Sequence, residues 1–106
     1  FGLNTGLATL PLFATGYVDP KHLAVLETMF QAPQVQDCFK VVMLHHHVLP
    51  FEHKPEFSRK LLNAHDVLQC LREHKVDLVI HGHNHYYQYT TLPHLQGPGT
   101  LHICEP

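Results

Sequence analysis

The sequence predicts an α/β domain, and three observations carry that prediction. Two short apolar runs, Val-Val-Met-Leu within residues 40–44 and Leu-Val-Ile at the end of residues 76–80, are partly β-branched. Runs of this kind suit strands buried on both faces, as in a sheet covered by helices. Between them lies a segment with helical periodicity. Each run passes directly into a histidine cluster, His45-His46-His47 after the first and His81-Gly82-His83-Asn84-His85 after the second.

Residues 1–5 read as a strand end, and residues 7–16 as an apolar connection without clear periodicity. A helix follows. Asp19 is placed to cap it and Pro20 occupies its first position. Leu23, Leu26, Met29 and Phe30 form its apolar face, and Pro33 ends it. A turn around residues 34–39 leads to the first strand. Residues 48–60 are a loop broken by Pro50 and Pro55. A second helix is predicted over residues 64–74, capped by Asn63, with Asp66 three positions on as a variant capping box. Ala64, Val67, Leu68 and Leu71 make its apolar face, and His74 and Lys75 suit its carboxyl end. After the second apolar run, residues 86–92 and 100–104 read as a hairpin about the Gly97-Pro98-Gly99 turn.

Composition narrows the function classes. The chain has 106 residues, enough for one domain or part of one. It could bury roughly 60–70% of its unfolded surface without disulfides. The net charge is -2 and no basic stretch stands out, so no nucleic-acid patch or membrane-surface patch is predicted. No apolar run reaches about 18 residues, so no membrane span is predicted. A cytoplasmic protein is the default expectation. Cys38, Cys70 and Cys104 are odd in number and far apart, which suits buried reduced thiols rather than a disulfide framework.

Histidine is the anomaly: 12 residues, against 7 lysines and arginines together. A strand–helix–strand unit normally holds its strands parallel. Parallel strands bring their carboxyl ends to one sheet edge, where ligands of open α/β sheets bind. The two clusters should therefore meet. His83 and His85 lie two apart, so in an extended segment both point to one side, and Gly82 lets the chain turn sharply. Imidazole is the commonest metal ligand, which makes His46, His83 and His85 the candidates. His22, His53, His65, His74, His94 and His102 read as ordinary structural or surface histidines. Asn84 is placed to hydrogen-bond a substrate, although a structural role suits it too.

A strand ending in His-His-His, a helix beginning Asn-Ala-His-Asp-Val-Leu, and Val-Asp-Leu-Val-Ile-His-Gly-His-Asn-His together resemble the calcineurin-like metallophosphoesterases, in particular the cyclic-nucleotide-phosphodiesterase-like branch. Two of that family's five metal-site blocks are present, the histidine after a strand and Gly-His-x-His at residues 82–85. Relatives carry a proline two residues after the strand-end histidine. Val48 stands there, which points back to His46 and leaves His45 as the alternative.

The resemblance implies a two-sheet sandwich flanked by helices, residues 1–106 being the C-terminal portion of one such domain. It implies two divalent ions (manganese, iron or zinc), with His46 and His83 on one and His85 on the other. His47 and Asn84 would lie beside a phosphoester substrate. A metal-bridging hydroxide would hydrolyse a phosphodiester or phosphomonoester. The sequence contains no Asp-x-His, Gly-Asp or Gly-Asn-His-Asp/Glu block. An N-terminal half or a partner chain is therefore expected to complete the site, and this chain alone to be nearly inactive and to expose an apolar face. Glu52 and Glu56 are conceivable extra ligands. Two alternatives stand beside this one: a mononuclear zinc hydrolase using His46, His83 and His85, and a non-catalytic interaction module on the same fold.

Overall fold

The structure, a computed structural model, describes residues 1–3, 16–46, 48–49, 61–82 and 87–106. It is a small mixed α/β domain. Its elements are α1 (Pro20–Gln31), β1 (Val41–Leu44), α2 (Ala64–Glu73), β2 (Leu78–His81), β3 (Gln88–Pro93) and β4 (Thr100–Glu105), with a 3-10 turn at Pro33–Val35 after α1. The sheet order is β1-β2-β4-β3. β1 and β2 are parallel, with Leu44 opposite His81. β2 and β4 are also parallel, and β3 pairs antiparallel with β4. The expected hairpin is present, but it docks through its second strand. The first three residues extend the sheet beyond β1. Leu3 N donates to Met43 O at 2.9 Å and Met43 N to Phe1 O at 2.8 Å.

α1 begins as its sequence dictates. Asp19 Oδ1 accepts from Lys21 N at 2.8 Å, and Pro20 supplies a preset first turn. Asn63 does not cap α2 with its side chain. Its amide is occupied instead by the backbone of Val18, accepting from Val18 N at 3.0 Å and donating to Val18 O at 2.7 Å. That exchange ties the entry of α1 to the entry of α2.

The carboxyl end of α2 closes with a Schellman-type bond. Val76 N donates to Leu71 O at 3.0 Å, and both side chains are fully buried in the one core, as this motif favours. This turn requires a left-handed residue, and Lys75 supplies it at φ 57°. A residue with a Cβ is strained there, whereas glycine is not. Lys75→Gly should therefore stabilise the domain by about 0.5–1 kcal/mol, read as a higher urea midpoint at unchanged slope.

One core lies between the helices and one sheet face. Leu26 and Phe30 of α1 and Val67, Cys70 and Leu71 of α2 pack with Val42, Leu44, Val79, Leu101 and Ile103. The prediction that β1 is buried on both faces is corrected. Its burial alternates, and Met43 is 56% exposed on the face away from this core. Tyr89 is also exposed there, and Val41, Leu78 and Ile80 are only half-buried. Met29, assigned to the apolar face of α1, is exposed. The thiols also differ from expectation: Cys70 is buried, Cys104 half-buried and Cys38 exposed. Among the described residues no helix is long and apolar enough to cross a membrane.

Asp77 joins the starts of three strands. Its Oδ2 accepts from Lys40 N at 2.7 Å, its own N–H donates to Lys40 O, and its carbonyl accepts from His102 N. Lys40 is buried, so its N–H would lose its carboxylate partner in Asp77→Ala. The expected cost is about 1–3 kcal/mol, measurable by urea unfolding against Asp77→Asn, which keeps an oxygen acceptor.

Candidate metal centre

The register of β1 and β2 sets where the histidine clusters go. Because the strands run parallel, His45 and Gly82 leave the sheet side by side, and Gly82 N donates to His45 O at 3.2 Å. This bond carries the pairing one step past the strands, into the first residues of both clusters.

His45 and His46 then face different surroundings. The in–out alternation of β1 continues through them, leaving His45 exposed and His46 only 6% exposed. Their rings meet edge to face with centroids 5.1 Å apart. The His46 imidazole lies against Gly16, where a Cβ would overlap the ring. Gly16 is itself fixed by a parallel bridge to Leu61 and by Leu62 N donating to its carbonyl at 2.8 Å. His46 is thus held by packing.

The neighbouring strands add two buried polar side chains. His81 belongs to β2 rather than to the loop, and its side chain points towards the core. Its Nδ1 lies 3.7 Å from Glu105 Oε2 at the end of β4. Burial holds the His81 imidazole below its ordinary pKa. The Gly82 carbonyl and the Glu105 carboxylate oppose that shift only in part. Glu105 is 1% exposed, a carboxylate enclosed at the same sheet edge as the histidines. Nothing local in the sequence selects it. Its position follows from β4 lying parallel beside β2, and a hairpin pattern does not reveal which strand docks.

His47, His83, Asn84 and His85 lie outside the described residues, as do Glu52 and Glu56. Gly82 is not among the positive-φ glycines, and a Cβ there would meet nothing within 4 Å. The described part of the edge contains the imidazole of His46, the tethered start of the second cluster, and the His81–Glu105 pair behind it. Imidazoles and carboxylates are donors for zinc, iron or manganese, but among the described residues His46, His81 and Glu105 do not converge as a three-donor group.

A second group of donors sits between the helices. One ligand atom each from Glu27, Cys70 and His74 lie within 4.8 Å of one another. Burial, then the charge of Glu27 and its hydrogen bond with the thiol, push the Cys70 pKa up to about 12. His74 was expected to be an ordinary helix-end residue and Cys70 a plain core thiol. Their relation is visible in the sequence as Cys-x-x-x-His on one helix, but Glu27 joins them only through packing of α1 on α2.

No family model matches the sequence, and no curated protein gives a significant match to it.

Proposed function

We propose that this chain carries the histidine half of a dinuclear metal site for phosphoester hydrolysis, on the calcineurin-like plan that its motifs resemble. The observation that supports the proposal most is the Gly82 N–H bond to the His45 carbonyl. It starts the Gly-His-Asn-His segment beside the buried His46. In this proposal His46 and His83 hold one divalent ion, His85 holds the other, and His47 and Asn84 approach the substrate. Two such ions supply Lewis-acid clamping of phosphoryl oxygens when bound. The chain's own contribution is a packed imidazole at a strand end, with the buried His81–Glu105 pair at the same sheet edge.

The same proposal accounts for the half-covered sheet face. In a two-sheet sandwich Met43, Tyr89, Val41 and Ile80 would pack on the remaining half of the domain. Further sequence or a partner chain would supply that half together with the acidic ligands.

The test is metal content per chain on tag-free protein, beside His83→Ala. Loss of an outer-shell partner alone typically costs about 10–100-fold in metal affinity. Removal of His83 should cost at least as much. The wild type should retain metal, His83→Ala should hold less than the wild type, and the 106-residue chain alone should hydrolyse a nitrophenyl phosphodiester poorly. Equal metal content in both proteins, or vigorous turnover by the chain alone, would sink the proposal. One ion per chain with esterase activity would favour the mononuclear three-histidine alternative.

A further inference from the structure

We propose that the α1–α2 interface is a second metal site, independent of the histidine edge, which binds a zinc-like divalent cation through Cys70 Sγ, a ring nitrogen of His74 and a carboxylate oxygen of Glu27. Cys70 lies in the last turn of α2 and His74, four positions on, is the residue that caps its carboxyl end, a spacing that brings neighbouring turns' side chains together. Glu27 reaches them from α1, and a bound ion would bridge the two helices.

The geometry is close to what zinc requires. Bonds of about 2.0–2.3 Å in a tetrahedron place ligand atoms about 3.3–3.8 Å apart. The three atoms already lie within 4.8 Å of one another, so no pair needs to close by more than about 1–1.5 Å. Glu27 and His74 are half-buried and can make that adjustment, while Cys70, 3% exposed, stays in place. His74 is further oriented by its backbone N–H to Cys70 O at 3.1 Å and by its ring lying 5.7 Å from that of Phe30.

The donor set selects the ion. One sulfur, one nitrogen and one oxygen favour zinc or cobalt(II) over magnesium or calcium. The half-exposed side, where Glu27 and His74 meet solvent, leaves a fourth position for water. In the metal-free protein the buried Cys70 sulfur and a Glu27 carboxylate oxygen lie within 4.8 Å of each other, and the thiol carries its proton. On binding, the thiol proton leaves to solvent, sulfur coordinates as thiolate, and a Glu27 oxygen joins it as ligand. α2 ends where β2 begins. The cluster therefore lies towards the amino edge of β2, away from His46 and Gly82.

Cobalt(II) titration tests this, because a thiolate ligand gives a sulfur-to-cobalt charge-transfer band in the near ultraviolet. Tag-free Cys38→Ser/Cys104→Ser protein, with Cys70 as its sole thiol, should show the band and saturate at one ion per band-forming site. The band should vanish with Cys70→Ser. Since that change touches the core, Glu27→Gln and His74→Ala carry the test alongside it. Each should weaken cobalt binding by about tenfold or more. His83→Ala should leave the band unchanged, so failure at the histidine edge and failure here are separable. Absence of the band at saturating cobalt, or a band of full affinity in both Glu27→Gln and His74→Ala, would overturn the proposal.

Discussion

Phe30→Ala should lower the unfolding free energy by about 3–5 kcal/mol, a large share of the roughly 5–15 kcal/mol available to a domain. α1 buries only two side chains fully, Leu26 and Phe30, and Phe30 is 1% exposed. Its ring packs edge to face on Phe1, with centroids 4.8 Å apart, and lies beside His74 at the end of α2. Removing it opens a cavity at a junction of α1, α2 and the segment beyond β1. Backbone groups around it hold that cavity open, because Gln36 Nε2 donates to the Phe30 carbonyl at 2.8 Å and fixes the following turn. Urea unfolding followed by far-ultraviolet circular dichroism measures the loss. A change below about 1.5 kcal/mol would mean that α1 is not anchored as described. Phe30→Leu, which keeps most of the volume, should recover much of the difference.

Gly16→Ala should cost about 1–3 kcal/mol through overpacking, because the added methyl meets the His46 imidazole. The strain is steric rather than conformational, since Gly16 is not among the positive-φ glycines. The ring has little room to retreat, being buried and set against His45. The variant therefore separates two roles of His46. If His46 binds metal, Gly16→Ala should lose metal along with stability, whereas His45→Ala, which alters an exposed ring, should retain it. Full metal content in Gly16→Ala together with loss in His45→Ala would transfer the ligand role to His45. Elemental analysis of the two variants, each checked for folding, decides between them.

Much of this arrangement was legible because local chemistry and the observed fold agree. Asp19 and Pro20 predict the start of α1, and the polar fringe of α2 leaves Val67, Cys70 and Leu71 facing inward. The two apolar runs around α2 predict parallel neighbours, and the pairing of Leu44 with His81 follows. What was not legible depends on partners distant in sequence. Asn63 looks like a helix cap by its neighbours, but Val18, 45 positions away, takes its side chain. Met43 sits in an apolar run, yet both helices pack on the opposite face. Glu105 and Glu27 have no local signature at all. One becomes a buried neighbour of His81 because β4 inserts beside β2, and the other joins Cys70 and His74 because α1 lies on α2.

The pairing of the first three residues alongside β1 has a consequence of another kind. A border strand with a row of unused amide and carbonyl groups is a template for recruiting another chain. Here Phe1 and Leu3 occupy those groups on β1, through Phe1 N to Val41 O at 2.9 Å and the two bonds to Met43. At the opposite border, β3 ends in Pro93, which has no amide hydrogen to offer. At each margin some of these groups are thus withdrawn from recruitment, on β1 by pairing with residues 1–3 and on β3 by an imino acid.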